Sequence, residues 1–176
     1  VYSNATLHWL ADHPTLFRRL IERLTPGGCL AVQMPLSWHA PSHRLMREVL
    51  ASGGPDAGSF GPPDLRESLS TPPVMSPLAY HTLLQDSTAS LDIWSTEYLH
   101  TLEPVAHSPG RDADPPHPVL EWIRGSGLRP ILEALEDAER ESFLDAYQSH
   151  LADTYPLDAE GGAVYPFPRL FIVATR

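Results

Sequence analysis

The sequence predicts a mixed α/β fold built on a partial parallel sheet. A short strand candidate, residues 1–5, opens the chain, an amphipathic stretch follows and ends at a Pro-Gly-Gly tripeptide at 26–28, and a compact apolar run covers residues 29–34. A compact apolar run of this length indicates a buried strand, and the stretch before it has helical periodicity. Strand, helix and strand in this order predict a βαβ unit, which requires parallel strands.

The first strand is predicted over residues 1–5, and we expect it to be buried. The following helix begins at Asp12, whose side chain can cap it, and Pro14 is tolerated in its first turn. Its apolar residues recur at helical spacing; they are Leu16, Phe17, Leu20, Ile21 and Leu24. The second strand, residues 29–34, is a short apolar run after the glycines.

The rest of the chain alternates helices with two strands. Helices are predicted over residues 41–50, 80–84, 119–124, 131–135 and 137–155, and strands over 91–98 and 170–175. Residues 53–77 are rich in Gly, Pro and Ser, and 104–118 contain several prolines and histidines, so both are predicted to be mobile connections. We expect one domain, residues 1–176.

Composition and charge exclude several classes of function. Lys and Arg total 12 against 22 Asp and Glu, a net charge of −10, which argues against partners such as nucleic acid or an anionic membrane surface. Cys29 is the single cysteine, so no internal disulfide can form, and its apolar surroundings predict a buried, inert thiol. No apolar run reaches the roughly 18–20 residues of a membrane span. We expect a soluble, cytoplasmic protein without a metal site.

Several motifs occur together along the chain. They are Ser3-Asn4-Ala5-Thr6-Leu7-His8-Trp9, the Pro-Gly-Gly turn at 26–28, residues 41–49 (PSHRLMREV), Leu91-Asp92-Ile93-Trp94, Gly127-Leu128-Arg129-Pro130 and residues 167–176 (FPRLFIVATR). In this order they resemble the trans-aconitate 2-methyltransferase family of class I S-adenosyl-L-methionine (SAM)-dependent methyltransferases. The resemblance implies a Rossmann-like sheet with a helical insertion, to which this chain supplies strands four to seven. We therefore expect a C-terminal portion, with the glycine loop that grips SAM lying upstream.

The resemblance also implies a reaction. It is O-methylation of a carboxylate, yielding a methyl ester of trans-aconitate or a similar small polycarboxylate, with SAM as cofactor and a monomeric enzyme. A carboxylate is ionised at pH 7, so no catalytic base is expected. Two alternatives stay open: a methyltransferase for another small acceptor, and a non-catalytic interaction module. We expect the chain to be inactive alone, because its first strand would form an exposed sheet edge.

Site residues follow from the same motifs. The predicted cofactor-binding residues are Ser3, Asn4, Ala5, His8 and Trp9. The predicted substrate-binding residues are Arg129, Arg169, His43 and Trp94. The arginines are chosen because a guanidinium binds a carboxylate through two parallel hydrogen bonds. Each assignment has a structural alternative: ion pairs for the arginines, a turn for Asn4, a helix start for His43 and packing for the tryptophans.

Overall fold

A computed structural model describes residues 1–53, 58–106 and 115–176. The strands are β1 Tyr2–Asn4, β2 Cys29–Pro35, β3 Ser90–Leu102 and β4 Ala163–Thr175. The helices are α1 His13–Glu22, α2 Pro41–Ser52, α3 Pro63–Ser68, α4 Pro77–Leu84, α5 Pro118–Arg124, α6 Arg129–Ala134 and α7 Asp137–Thr154. Short 3₁₀ turns cover Leu7–Trp9, Ser37–His39 and Gln85–Ser87.

The strands form one sheet in the order β1-β2-β4-β3. β1 pairs in parallel with β2, and α1 connects them, so the predicted βαβ unit is confirmed. β2 pairs antiparallel with β4, which makes the sheet mixed. The predicted α/β class is therefore confirmed, and the βαβ unit is the parallel part of the sheet. The prediction of a parallel sheet is wrong for the β2–β4 pair.

The chain divides into two compact units. The sheet unit consists of Val1–Trp38, Pro72–Tyr98 and Phe167–Arg176, and the helical unit consists of His39–Thr71 and Leu99–Pro166. The expected single domain stays a prediction. No helix in the described ranges is long and apolar enough to cross a membrane.

Both ends of α1 are held by side chains. The Thr15 amide donates to Asp12 Oδ1 at 3.3 Å, which confirms the predicted cap. At the other end Arg176 Nη1 donates to the carbonyl oxygens of Glu22 and Leu24 at 2.5 and 2.9 Å. The last carbonyls of a helix lack internal partners, so the arginine satisfies groups that the helix itself cannot.

The core of the sheet unit lies on one face of the sheet. Alternate residues of β2 and β4 point to this face and are buried: Leu30, Val32, Met34, Leu170, Ile172 and Ala174. Phe17 and Ile21 from α1 and Tyr80 and Leu84 from α4 pack in the same apolar cluster. The period of two along the strands and the helical period of α1 thus explain how this sequence buries one face.

A buried polar contact ties α1 to α4 inside that core. His13 Nε2 lies 3.0 Å from the carbonyl oxygen of Leu7, which can only accept, so this contact selects the tautomer with the proton on Nε2. His13 Nδ1 is then an acceptor for the Tyr80 hydroxyl, which itself accepts from the Met75 amide at 3.4 Å. Burial raises the pKa of Tyr80 to about 12, so the phenol stays a donor.

Replacing Tyr80 by phenylalanine is expected to lower the free energy of unfolding by about 1–2 kcal/mol, because His13 Nδ1 is left buried without a donor. Urea unfolding of the wild type and the variant measures the difference. Tyr2, whose side chain is 78% exposed, is the matched control, and Tyr2→Phe should change stability by less than about 0.5 kcal/mol. Equal effects of the two substitutions would contradict the role of the hydroxyl.

Some sequence predictions are wrong in detail. β1 is an edge strand, as expected for this chain on its own, but it is not buried, since Tyr2 is exposed. The thiol of Cys29 was expected to be buried and is exposed, because Cys29 begins β2 and does not point into the core. β4 begins at Ala163 and runs through Pro166 and Pro168, whereas the sequence predicted a strand from residue 170.

The two predicted connections are only partly described. Residues 53–77 contain the short helix α3, although residues 54–57 lie outside the described residues. Most of the predicted connection at 104–118 falls in residues 107–114, which also lie outside them. The predicted mobility of both segments stays a prediction.

Candidate functional site

The chain turns sharply where β1 ends. Ala5 has φ +49°, in the left-handed region that non-glycine residues seldom adopt, and its amide donates to the carbonyl oxygen of Gln33 at 2.9 Å. The Thr6 hydroxyl donates to the carbonyl oxygen of Asn4 at 3.0 Å. These bonds fix the backbone of Asn4 at the carboxyl end of β1 while its side chain stays exposed.

Three polar atoms around this end of the β1–β2 pair are buried and have no hydrogen-bond partner in the described part of the chain. They are Ser3 Oγ on β1, His8 Nδ1 in the turn after β1, and Gln33 Nε2 on β2. Buried polar groups nearly always find a partner, so unpaired ones in a native fold call for an explanation. Ligands bind beyond the carboxyl ends of parallel strands in open α/β sheets, and a bound polar ligand would satisfy such atoms.

The 3₁₀ turn after β1 presents two aromatic rings. The rings of His8 and Trp9 lie 4.7 Å apart, and Trp9 is 62% exposed. Burial, and secondarily the proximity of His13, lower the pKa of His8, which favours its neutral form. Trp9 is thus not a core residue, and the pair offers an apolar, uncharged wall next to Asn4.

One face of the sheet collects three predicted site residues. Asn4 pairs with Gln33, and Gln33 pairs with Phe171, so these side chains share a face opposite the core. Arg169 lies two residues before Phe171 and therefore on the same face. The ring of Trp94 stacks on Phe171 at 5.0 Å with an interplanar angle of 6°. We name this set, consisting of Asn4, Gln33, Trp94, Arg169 and Phe171, the polar face.

Arg169 is the cation of the polar face. Its Nη1 donates to Gln33 Oε1 at 3.0 Å, and its Cζ lies 4.9 Å from the ring centre of Phe167 and 5.5 Å from that of Tyr98. The salt bridges of the described residues join other arginines to acids, so a structural ion pair, the alternative explanation of Arg169, is not observed there. The guanidinium is half-buried and has donors left for an anion.

The helical unit holds a network of tyrosine hydroxyls around the first turn of α2. The Ser42 amide donates to the Tyr155 hydroxyl at 3.1 Å, and the Tyr147 hydroxyl donates to the Ser42 carbonyl at 3.0 Å. The hydroxyls of Ser42 and Tyr165 lie 3.1 Å apart. The Tyr155 hydroxyl thus satisfies a first-turn amide that a local cap would otherwise serve, since Ala40 at the N-cap offers no side-chain acceptor.

His43 lies directly beside this network. Its Nδ1 is 3.2 Å from Ser42 Oγ, and the side chain is half-buried. Its Nε2 approaches Gly127 so closely that a Cβ added there would lie 3.1 Å away. Burial, with the charge of Arg47 as a second cause, lowers the pKa of His43 to about 4. The imidazole is therefore neutral at physiological pH.

Arg129 is found on the surface of the helical unit. Its Nε donates to Glu133 Oε1 at 2.7 Å, and the two side chains are 69% and 64% exposed. The hydrogen bond to Glu133 and its charge raise the pKa of Arg129 further. This matches the surface ion pair that was the alternative for Arg129, although its predicted role in substrate binding stays a prediction.

Comparison with known proteins places these residues in context. No protein-family model matches the chain. Curated relatives named trans-aconitate 2-methyltransferase match it from end to end. One from Methylobacterium radiotolerans is 41% identical over 100% of this chain, one from Pseudomonas aeruginosa 43% over 99%, and one from Escherichia coli O157:H7 40% over 100%. The chain is a homologue of the trans-aconitate 2-methyltransferases.

This homologue spans only part of its relatives. It covers 62% of the Methylobacterium protein, 60% of the Pseudomonas protein and 61% of the Escherichia protein. Among solved structures, phosphoethanolamine N-methyltransferase 2 of Haemonchus contortus, in complex with S-adenosyl-L-methionine, aligns with a TM-score of 0.40 and 12% identity. That alignment covers 100% of this chain and 32% of the other. A likeness this weak supports no conclusion about function.

Gln33 was not singled out from the sequence, although this residue is buried on the polar face and its side chain accepts a hydrogen bond from Arg169. The available signal was a single amide side chain inside the apolar run of residues 29–34. Within the described ranges, no group of three or more His, Cys, Asp or Glu side chains is placed to hold a metal.

Proposed function

We propose that this chain is part of a SAM-dependent O-methyltransferase that forms a methyl ester on a carboxylate of trans-aconitate or a similar small polycarboxylate. The observation that carries the proposal is Arg169, a half-buried cation set between aromatic rings without an acidic partner in the described part of the chain. In a protein with a net charge of −10, such a cation provides a local binding site for an anion. The names of the relatives support the same acceptor.

Methyl transfer to a carboxylate requires the protein mainly to orient the acceptor and the methyl donor. SAM, when bound, supplies an electrophilic methyl group on a sulfonium centre. The attacking carboxylate oxygen is already ionised at neutral pH, and an ester and a thioether form without any proton transfer. Arg169 would hold the acceptor, and the rings of Trp94 and Phe171 would exclude water beside it. Proximity and alignment can then supply most of the acceleration.

The cofactor side of the site would be formed at the end of β1. Ser3 Oγ and His8 Nδ1, which are buried and have no partner within the described ranges, fit a polar ligand there, and Asn4 offers an exposed amide at the turn of Ala5. Trp9 would lie against an apolar part of the same ligand. These assignments rest on the fit of the residues to a polar ligand with an aromatic portion, as SAM has.

His43 and Arg129 remain proposed substrate contacts, and the helical unit is where they would act. The surroundings of His43 fit this role better than those of Arg129, because a neutral, half-buried imidazole beside Gly127 can donate to a carboxylate or accept from a carboxylic acid. The enzyme is also proposed to be monomeric and cytoplasmic, with a small polycarboxylate as its partner.

An acceptor panel tests the proposal. The native polypeptide that contains this chain is assayed with methyl-labelled SAM against a tricarboxylate, a dicarboxylate, a monocarboxylate and a neutral acceptor. We expect kcat/KM to fall in that order, because each lost carboxylate removes a charge-assisted contact. A preference for the neutral acceptor would favour a methyltransferase of different specificity, and intact SAM binding without any product would support a non-catalytic module.

A further inference from the structure

We infer that Gln33 is a positioning residue whose side-chain carbonyl oxygen orients Arg169. Its amide nitrogen and Arg169 then form a site with two hydrogen-bond donors for one carboxylate of the acceptor, which we name the carboxylate seat. The inference rests on the proposed function and deepens it, since it assigns a second side chain to the recognition of the acid. It concerns the sheet unit alone.

The orientation of the Gln33 amide follows from its neighbour. Arg169 Nη1 lies 3.0 Å from Gln33 Oε1, and a guanidinium can only donate, so the oxygen and not the NH₂ group must face it. The NH₂ group is thereby turned away from Arg169. An inverted amide would place two donors against each other and is excluded on that ground.

The amide nitrogen of Gln33 is a hydrogen-bond donor whose satisfaction the described residues do not provide. Gln33 is 6% exposed, and its Nε2 is buried without a hydrogen bond among the described residues. Leaving a buried donor unsatisfied destabilises a fold, so a purely structural glutamine would be expected to satisfy both ends of its amide. A ligand that accepts hydrogen bonds removes this destabilisation when it binds.

Arg169 determines the charge of that ligand. Its guanidinium has five N–H donors, and one of them is used by Gln33. Its Cζ lies 4.9 and 5.5 Å from the ring centres of Phe167 and Tyr98, and the side chain is half-buried, which strengthens its attraction for an anion. A cation next to a neutral donor matches a carboxylate, whose two oxygens each accept.

The polar face provides the surroundings that the carboxylate seat needs. The register pairs Gln33 with Asn4 on one side and with Phe171 on the other, so the amide lies between the predicted cofactor residue and the stack of Phe171 on Trp94. A carboxylate bound by Gln33 and Arg169 would therefore lie on the same face of the sheet as Asn4. This juxtaposition explains why an amide occupies an otherwise apolar strand.

The test compares Gln33→Glu and Gln33→Leu in the native polypeptide that contains this chain. Glutamate would form an ion pair with Arg169 and repel a carboxylate, and leucine would remove both hydrogen bonds. Equilibrium binding of trans-aconitate and of its saturated analogue tricarballylate is measured calorimetrically, and so is binding of SAM. We expect both variants to raise the Kd of both acids at least tenfold, Gln33→Glu more than Gln33→Leu, with SAM affinity changed less than about twofold. In the kinetic assay KM for the acid should rise more than kcat falls.

The matched control is Gln85→Glu, an exposed glutamine of the same unit, which should leave the Kd of the acids unchanged. Unaltered binding of both acids by Gln33→Glu would overturn the inference even if the wild type forms the ester. Loss of SAM affinity in parallel with acid affinity would also overturn it, by indicating a general structural role. Wild-type binding of the acids that depends on Gln33, without ester formation, would uphold the carboxylate seat and refute the proposed reaction.

Discussion

Replacement of Arg169 by leucine is expected to lower kcat/KM for a carboxylate acceptor by on the order of a hundredfold. Removing one partner of a desolvated, charge-assisted contact costs about 2–5 kcal/mol, and each 1.4 kcal/mol is a factor of ten. Arg169→Lys keeps the charge but loses the planar fork and its stacking between Phe167 and Tyr98, so an intermediate loss of about tenfold is expected. Steady-state kinetics on the native polypeptide provides the measurement.

Arg18→Leu is the matched control for this experiment. Arg18 is exposed on α1 of the same unit, and its removal should leave kcat/KM within about twofold of the wild type. SAM affinity should be retained in both Arg169 variants. Full activity of Arg169→Leu would show that the acceptor is held elsewhere. The same assay on Arg129→Leu decides between a surface pair, which predicts little change, and the substrate contact expected from the sequence.

Acidification is expected to destabilise the helical unit through His43. The pKa of His43 is about 4 in the folded chain and is expected near 6.5 in the unfolded chain, so only the unfolded state takes up this proton between those values. The stability due to the neutral imidazole is thus fully present above pH 6.5 and is lost as the pH falls to about 4. A difference of this size corresponds to about 3 kcal/mol.

Urea unfolding at several pH values checks the size and sign of this effect. His43→Gln should reduce the decline in the free energy of unfolding between pH 6.5 and pH 4 by about 3 kcal/mol, whatever its effect on absolute stability. His150 is an exposed histidine of α7 in the same unit, and His150→Gln should leave the decline nearly unchanged. An identical pH dependence for wild type and His43→Gln would contradict the burial of a neutral imidazole.

The local features of the fold could be predicted because they depend on neighbours in sequence. The β1–α1–β2 unit follows from apolar periodicity. Asp12 caps α1, as its position at the start of the predicted helix indicates. The early start of β4 could not be predicted, because Pro166 and Pro168 indicate a break. Both prolines precede Arg169, where the register between β2 and β4 ends, so neither removes a hydrogen bond to β2.

The composition of the polar face depends on register, which the sequence does not reveal. The motifs indicated Asn4, Trp94 and Arg169 separately, but only the pairing of β1, β2 and β4, with the stacking of Trp94 on Phe171, places them on one face. Gln33 was missed because a single glutamine in an apolar strand has no local signature of function. The tyrosines around Ser42 are more than a hundred residues away from it, so periodicity alone cannot connect them.

The measurement that tests the central claim most directly is the fate of the labelled methyl group. The native polypeptide is incubated with methyl-labelled SAM and trans-aconitate, and the product is separated and analysed by mass spectrometry. The proposed reaction predicts label in a monomethyl ester of the acid, released as methanol by mild base. Label bound to nitrogen or carbon, or no transfer to the acid while SAM is bound, would contradict it.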